Sequence, residues 1–394
     1  MTRAELRRFV GSSTGAMLVD LEQLVGIETP SDDRPALAAG ADWVQEWIER
    51  RLGPPTTSRR EPGGPHGDTL VLTYAGTGGG ASAGPVCLLG HYDTVWPLGT
   101  LGSMPFARDG DVLRGPGVFD MKAGLVQAVW AVRALAETGS ACPPVRFVLN
   151  GDEEIGSPAS RRHIEEQCRD AAAVLVFEPS AGGAVKTARK GIGMFDVSLT
   201  GIEAHAGLDP GVGASAISAL AELVQAAHGL TDLGAGTTVN VGVVSGGSRS
   251  NVTAGAAQAG IDVRVATSAE AARIDGALQA WRPSDPRVGV RVDGGWPRPP
   301  MTRSAAIGAL FERAAGLASE LGFDLGETSV GGASDGNFAA ALGRPVLDGF
   351  GAVGDGAHSR HEQATVSGLV QRTELAAVLL AALAADGSAS TDAR

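Results

Sequence analysis

The sequence predicts an α/β domain, in which helices cover a layered sheet, interrupted by a smaller inserted α+β domain. In the first half and again near the C-terminus, short apolar runs alternate with amphipathic helical stretches, which is typical of a sheet between layers of helices. Between about residues 188 and 298, apolar residues alternate with polar ones, as in half-exposed strands. A length of 394 residues fits two or three domains of about 150 residues. We therefore predict a first domain over 1–187 and 299–394 and an insertion over 188–298.

The elements of the first domain follow from the spacing of its apolar residues. Helical spacing begins the chain, over about residues 4–26 and 37–52. Apolar runs bounded by turn residues then predict buried strands, over 69–74, 86–89, 145–149, 173–177 and 345–349. Further helical stretches lie between and after these strands, over 123–138, 159–168, 305–321 and 366–385. This alternation predicts a sheet with helices packed against it.

The elements of the insertion have a different order. Alternating strands are predicted over 195–200, 238–244, 257–265 and 288–292, and helices over 213–228 and 268–281. The resulting order, β-α-β-β-α-β, is that of a ferredoxin-like fold with an antiparallel sheet.

Composition excludes several classes of protein. Net charge is −12, from 32 basic and 44 acidic residues without a basic block, which argues against nucleic acid or a membrane surface as partner. Three irregularly spaced cysteines do not form a disulfide scaffold or a Cys-x-x-Cys zinc site. We see neither an apolar run of the roughly 18–20 residues that a membrane span needs nor the apolar stretch of a signal peptide. We therefore expect a cytoplasmic protein.

Acidic and histidine side chains follow the predicted strands or glycine-rich loops. The set consists of His91, Asp93, Asp120, Asp152, Glu153, Glu154, Glu178 and His358. Because the carboxyl ends of strands line the ligand crevice of an open α/β sheet, we expect these side chains to converge. Imidazoles and carboxylates can hold a pair of divalent ions such as zinc, cobalt or manganese. Adjacent glutamates at a strand end point to different sides, so one can bind metal while the other acts as a general base.

Nine segments resemble the motifs of one family. They are GHYDTV (90–95), GPGVFDMKAG (115–124), NGDEEIGS (150–157), FEPS (177–180), ARKG (188–191), GIEAHAG (201–207), SNV with DVR (250–264), GGASDGN (331–337) and GAHSRHE (356–362). The chain resembles the co-catalytic dizinc metallopeptidases, which include bacterial glutamate carboxypeptidase, acetylornithine deacetylase and succinyl-diaminopimelate desuccinylase. The glutamate carboxypeptidases are the most similar of these. The resemblance implies a zinc-exopeptidase-like three-layer catalytic domain and an inserted lid through which two subunits dimerise.

The resemblance also implies the ligands of two zinc ions per subunit, which cobalt or manganese could replace. His91 and Glu178 would hold one ion, and Glu154 and His358 the other. Asp120 would bridge the two ions, and its peptide bond to Met121 is typically cis in relatives.

The catalytic groups are implied in the same way. Glu153 would be the general base for the water between the zinc ions, and Asp93 would support the imidazole of His91. His205, contributed by the partner subunit's lid, would stabilise the oxyanion of the tetrahedral intermediate.

Four further positions match residues that bind substrate in relatives: Lys186, Asn251, Arg264 and Arg298. Arg298 matches the arginine that faces the glutamate side chain in the carboxypeptidases, and a guanidinium suits a carboxylate. The expected activity is therefore hydrolysis of an amide bond next to a free C-terminal carboxylate, on an N-acyl or peptidyl amino acid. The alternative is an N-acyl-amino-acid deacylase, of the acetylornithine deacetylase or aminoacylase kind, with the same dizinc machinery.

Two other interpretations compete with the metal site. The segment GASDG (332–336) fits the G-x-S-x-G pattern of serine hydrolases, with Ser334, His358 and either Asp348 or Asp355 as a triad. That interpretation leaves the other acidic clusters unexplained. A non-enzymatic relative that serves only as a binding module would have lost metal ligands or the base, and all of them are present here.

Overall fold

The computed structural model describes residues 3–389 and divides the chain into two compact units. The first unit extends to Thr187 and also contains Arg303–Ser329 and the segment from Ser334 onward. The second unit consists of Ala188–Thr302 and Val330–Ala333. The predicted insertion, 188–298, falls inside the second unit.

The described chain contains helices and strands in alternation. The helices are α1 (Arg3–Ser12), α2 (Thr14–Val25), α3 (Arg34–Leu52), α4 (Ala123–Glu137), α5 (Arg161–Cys168), α6 (Ala216–His228), α7 (Ser268–Ala280), α8 (Ala305–Leu321), α9 (Gly336–Ala341) and α10 (Val366–Ala389). The strands are β1 (Thr57–Glu61), β2 (Thr69–Tyr74), β3 (Val86–His91), β4 (Ala107–Asp109), β5 (Val112–Arg114), β6 (Val145–Asn150), β7 (Ala173–Val176), β8 (Val185–Arg189), β9 (Gly191–Thr200), β10 (Thr238–Gly246), β11 (Ala256–Val265), β12 (Gly289–Arg298), β13 (Glu327–Val330), β14 (Val346–Leu347), β15 (Gly354–Asp355) and β16 (Gln363–Thr365).

A six-stranded mixed sheet lies at the centre of the first unit, in the order β1-β2-β6-β3-β7-β14. The strands β6, β3, β7 and β14 are parallel to one another, whereas β1 and β2 are antiparallel to their neighbours. The central strands read as continuous apolar runs because they are buried. Their parallel direction brings the carboxyl ends of β6, β3 and β7 side by side. The α/β fold that the sequence predicts is confirmed.

The last helix, α10, belongs to the core of the first unit. Its segment Val366–Ala385 is long and apolar enough to cross a membrane by length and composition, contrary to the sequence expectation. In the structure this helix packs against α1, α4 and α8. Leu375, Leu379 and Leu380 are fully buried there. Burial inside the protein therefore accounts for the apolar character of this helix.

A second, smaller sheet in the first unit has the order β15-β16-β5-β4. Its strands are two or three residues long, too short for a periodic pattern, and the sequence did not predict them. The loop between β15 and β16 carries His358, and β5 leads into the glycine loop that carries Asp120. The pairing of β16 with β5 therefore brings two distant loops together.

The second unit is an antiparallel sheet with two helices, in the order β10-β11-β9-β12. Its elements follow one another as β9-α6-β10-β11-α7-β12, which is the predicted β-α-β-β-α-β order. Apolar residues of α6 and α7, such as Leu223 and Ile274, form one core with Val197 and Val263 of the sheet. Alternate residues of β9 are exposed, as expected for a sheet with one covered face.

Candidate metal centre

The end of β3 places His91 in the middle of the site. His91 is 1% exposed and pairs with Asn150 of β6 across the parallel ladder. Its Nε2 lies 3.2 Å from Asp120 Oδ1 and 3.5 Å from Glu178 Oε1. Glu178 follows β7, on the other side of β3. The sheet order therefore explains why three segments that are separate in sequence meet here.

Asp93 orients the ring of His91. The Nδ1 atom of His91 lies 3.0 Å from the backbone oxygen of Asp93 and 3.4 Å from its Oδ1. The Asp93 carboxylate also accepts hydrogen bonds from Ser31 Oγ at 2.7 Å and from the backbone N–H groups of Glu153 and Glu154 at 3.3 and 3.2 Å. Asp93 therefore fixes the imidazole with Nε2 facing the carboxylates, and it ties this strand end to the turn after β6.

Asp120 lies between the two histidines of the site. Its Oδ1 faces His91, and its Oδ2 lies 3.3 Å from Nε2 of His358. His358 Nε2 is also 3.0 Å from Glu154 Oε2. The peptide bond between Asp120 and Met121 is cis, as in the family that the sequence resembles. The carboxylate of Asp120 thus directs Oδ1 toward His91 and Oδ2 toward His358.

Glu153 and Glu154 face different halves of the site. Both lie on a short 3₁₀ turn, Glu153–Ile155, and not on the strand end that the sequence suggested. Consecutive side chains on such a turn, with 3.0 residues per turn, point about 120° apart. The carboxylate of Glu153 has an oxygen within 4.8 Å of ligand atoms of His91 and Glu178. The carboxylate of Glu154 has an oxygen within the same distance of ligand atoms of His91 and Asp120. The turn therefore gives the two glutamates different surroundings.

The charges in this cluster depend on one another. Hydrogen bonds with Asp120 and Glu154 raise the pKa of His358 to about 10. Burial lowers the pKa of His91, but hydrogen bonds with Asp120, Asp93 and Glu178 outweigh it, so this pKa is raised well above its usual range. Burial raises the pKa of Glu154 to about 7. Without metal, the imidazole of His358 is therefore a cationic counter-charge to these carboxylates at neutral pH.

The donor atoms fit a pair of divalent ions. The distances between neighbouring donors on His91, His358 and their carboxylate partners are 3.0 to 3.5 Å. A tetrahedral zinc ion with bonds of about 2.0–2.1 Å keeps its ligand atoms about 3.3 Å apart. Within residues 3–389, the buried Oε1 atom of Glu154 has no hydrogen-bond partner, as expected of an oxygen that binds a cation when one is present.

The sequence assigns no role to Glu362, although this residue ends the GAHSRHE segment (356–362). Glu362 is 1% exposed and accepts four hydrogen bonds, three of them from the loop that carries Asp120. The fourth comes from the indole N–H of Trp96. A glutamate four residues after a ligand histidine was the available signal, but its burial could not be read from the sequence.

The second unit holds His205 and Asn251 next to each other. The N–H of Ala206 donates to the backbone oxygen of Asn251 at 3.0 Å, and the N–H of Thr253 donates to the backbone oxygen of Ala204 at 2.9 Å. His205 Nδ1 accepts hydrogen bonds from the N–H groups of Gly207 and Leu208, both at 3.1 Å. Because Nδ1 is an acceptor, a neutral His205 carries its proton on Nε2 and can donate from there.

Two of the predicted substrate residues, Arg264 and Arg298, lie in one row of the same sheet. Arg264 of β11 and Arg298 of β12 both pair with Ile192 of β9, one from each side. The Arg264 guanidinium donates to both carboxylate oxygens of Asp262 at 3.0 Å, whereas Arg298 is 4% exposed. Two guanidinium groups are therefore positioned at the same end of this sheet.

Lys186 belongs to the first unit, where it is buried on β8. Its N–H donates to the Asp348 oxygen at 2.7 Å, and the N–H of Asp348 donates back at 3.1 Å. Lys186 is thus fixed at the backbone, and a Cβ added at Gly349 would lie only 3.1 Å from its Cγ.

The alternative serine triad does not form. Ser334 is fully buried, and its hydroxyl donates to Asp348. His358 Nε2 instead contacts Asp120 and Glu154. A nucleophilic serine needs a neighbouring base and access to substrate, and the described contacts give Ser334 neither.

Known proteins resemble this chain in sequence and in fold. Residues 87–382 match the model of the peptidase family M20/M25/M40. Carboxypeptidase G2 from Pseudomonas sp. (strain RS-16) is 31% identical over 94% of this chain and 90% of its own length. Acetylornithine deacetylase from Myxococcus xanthus is 32% identical over 48% of this chain and 50% of its own length. The crystal structure of aminopeptidase PepT from Bacillus cereus ATCC 10987 superimposes with a TM-score of 0.76 at 20% identity, covering 94% of this chain and 99% of that one.

Proposed function

Because this chain belongs to the peptidase family M20/M25/M40, and is therefore a metal-dependent hydrolase, we propose that it cleaves the amide bond next to a free C-terminal carboxylate. The observation that carries the proposal is the position of Asp120 between His91 and His358, with one oxygen toward each imidazole. A bridging carboxylate of this kind suits two ions in one site. We extend the proposal to two zinc ions per subunit, with His91 and Glu178 on one and Glu154 and His358 on the other.

A bound pair of ions would polarise the scissile carbonyl and lower the pKa of the attacking water. Glu153 is the general base of the proposal, because its carboxylate lies within 4.8 Å of ligand atoms of His91 and Glu178. The backbone N–H of Glu153 donates to Asp93, which fixes this part of the turn. Glu153 takes the proton of the attacking water and returns it to the leaving amine nitrogen. Asp93 keeps His91 in one ring orientation throughout.

His205 supplies the hydrogen bond to the oxyanion in this proposal. Its Nδ1 is occupied by two backbone N–H groups, so Nε2–H is the donor that remains for substrate. A donor aimed at the developing negative charge stabilises the transition state more than the ground state. As in the family resemblance, we place this His205 in the lid of the partner subunit.

The proposed substrate is an N-acyl or peptidyl amino acid with glutamate or another acidic residue on the C-terminal side. The positions of Arg264 and Arg298, which both pair with Ile192, support this substrate class. A C-terminal glutamate carries two carboxylates, and a guanidinium group binds a carboxylate well. Asn251, held beside His205, is proposed to bind the substrate's polar groups, and Lys186 to bind a substrate carboxylate. The 31% identity to carboxypeptidase G2 adds support.

We also propose that the chain forms a cytoplasmic homodimer through the second unit. The strand β10 lies at the edge of its sheet and exposes Val243 (71%) and Val244 (55%). An exposed apolar edge strand readily pairs with another strand. Sedimentation equilibrium should give twice the chain mass, and Val243→Lys should shift it toward the monomer. A wild-type monomer at micromolar concentration would contradict the proposal.

The test of the activity is hydrolysis of a panel of N-acyl and dipeptide substrates, before and after chelation and with zinc or cobalt added back. Metal-restored cleavage that is fastest for C-terminal glutamate supports the carboxypeptidase proposal. Faster cleavage of acetyl-amino acids favours the deacylase alternative, to which the similarity with acetylornithine deacetylase also points. Activity that resists chelation but yields to a serine-directed reagent would overturn the metal mechanism.

A further inference from the structure

The carboxylate of Glu362 is enclosed by hydrogen-bond donors. Its Oε1 accepts from the N–H groups of Phe119 and Asp120 at 2.9 and 3.0 Å. Its Oε2 accepts from the N–H of Gly117 at 2.9 Å and from Trp96 Nε1 at 2.8 Å. Three of the four donors are backbone amides of a four-residue segment, 117–120. One side chain therefore determines the path of the loop that ends in Asp120.

This loop has little regular structure of its own to hold it. Gly117 has φ +71°, in the left-handed region, and Asp120 and Met121 have non-helical dihedral angles inside a short π-helical turn. Buried amides outside a helix or sheet need acceptors from elsewhere. Glu362 provides them, so that the backbone torsions from which the Asp120 side chain projects are fixed by an external group.

Glu362 also connects the two loops that face each other across the site. It lies on the same loop as His358, and its own N–H donates to the Ser359 oxygen at 3.0 Å. The Asp120 loop is held from another direction by Lys122, whose Nζ donates to the Ile27 oxygen at 2.7 Å. A change at Glu362 therefore alters the position of Asp120 relative to His358.

We infer that Glu362 is a positioning residue, which holds the bridging carboxylate of Asp120 between His91 and His358 through three backbone amides. The inference rests on the proposed function in taking Asp120 as a ligand of both ions. Glu362 itself touches neither substrate nor ion in this scheme. Its effect on catalysis is transmitted by the geometry of Asp120.

The test compares Glu362→Gln with the wild-type protein in metal affinity, in the visible spectrum of the Co²⁺-substituted protein and in kcat and KM. The amide keeps the shape of the side chain but replaces one acceptor oxygen by an N–H donor, which repels two of the four donors. Because loss of a supporting partner of a ligand typically costs about 10- to 100-fold in affinity or activity, we expect metal affinity and kcat to fall by that range, with a changed cobalt spectrum and KM within about threefold.

Two control variants separate positioning from general stability. Glu374→Gln alters another little-exposed glutamate, which pairs with Arg7 of α1, and should leave metal affinity and the cobalt spectrum unchanged. Trp96→Phe removes only the indole donor and keeps the three amide bonds, so its effect on metal affinity should stay below about threefold. An effect of Trp96→Phe as large as that of Glu362→Gln would overturn the inference.

The remaining outcomes are equally decisive. A Glu362→Gln protein that melts earlier but has the wild-type metal affinity and cobalt spectrum would make Glu362 merely structural. If this variant does not fold, Glu362→Asp takes its place. Aspartate keeps the negative charge, but its side chain is one methylene shorter, so both oxygens lie farther from the four donors. A wild-type chain that binds no metal would overturn the proposed function and this inference together.

Discussion

Asp120 Oδ2 lies 3.3 Å from His358 Nε2, although the two residues come from opposite parts of the chain. The contact depends on the small sheet in which β16 pairs with β5, because these strands bring the two loops to the same place. It also depends on Glu362, which is hydrogen-bonded to the backbone of the Asp120 loop. The proposed metal pair would therefore require tertiary contacts that its proposed ligands do not make themselves.

Replacing the proposed base should separate chemistry from metal binding. Glu153→Gln is expected to lower kcat by about 10² to 10⁴-fold, because the amide cannot accept the proton of the attacking water. Metal content, measured by plasma mass spectrometry after gel filtration, should stay at the wild-type value. Simultaneous loss of metal and activity would show that Glu153 is a ligand and not the base.

Two neighbouring histidines provide a matched pair of variants that test the proposed second ion. His358→Ala removes a group 3.0 Å from Glu154 and 3.3 Å from Asp120, so bound metal should fall from two ions per subunit to one. His361→Ala changes an exposed histidine whose described partner is Ser359, and it should keep both ions and its activity. Equal metal loss in both variants would point to damage of the whole loop.

Arg298 should determine the preference for acidic substrates. Since hydrogen bonds to charged groups contribute about 1.5–3 kcal/mol, Arg298→Ala should lower kcat/KM for C-terminal glutamate by roughly 10- to 100-fold and leave C-terminal alanine little changed. Arg291→Ala, on the same strand but 75% exposed and paired with Asp293, is the control. The same loss for both substrates would mean that Arg298 supports the fold of the second unit.

Stabilisation by metal should increase with pH. In the metal-free protein, hydrogen bonds with Asp120 and Glu154 raise the pKa of His358 to about 10, above the value of about 6.5 for an unfolded chain. A pKa raised by folding contributes stability that is complete below about pH 6.5 and is lost as the pH rises through about 10. Metal requires the neutral imidazole, so proton competition also weakens over this range.

The corresponding measurement is the melting temperature with and without Co²⁺ from about pH 6.5 to 9. We expect the difference between the two curves to widen as the pH rises, since bound ligand stabilises the folded state. In His358→Ala the widening should be smaller. A difference that is constant or narrows with pH would contradict the assigned role of His358.

The sequence predicted the layered α/β fold, the β-α-β-β-α-β order of the insertion and the residues that converge on the site. The fold prediction is confirmed, because buried parallel strands appear in the sequence as local apolar runs. The roles of the site residues stay predictions. The end of such a run also marks the ligand crevice, so His91 and Glu178 could be found from their position alone. The short strands β4, β5, β15 and β16 were not predicted, because two or three residues carry no period.

The sequence by itself determined which side chains are candidates for metal binding and catalysis, because their types and their places after strands are local properties of the chain. Only the tertiary structure decided that Glu153 and Glu154 separate on a 3₁₀ turn, and that Arg264 and Arg298 share Ile192 as neighbour. It also decided that Glu362 is buried beneath Asp120. A glutamate in a loop has the same sequence signature whether water or three backbone amides surround it, and only packing between distant segments distinguishes the two.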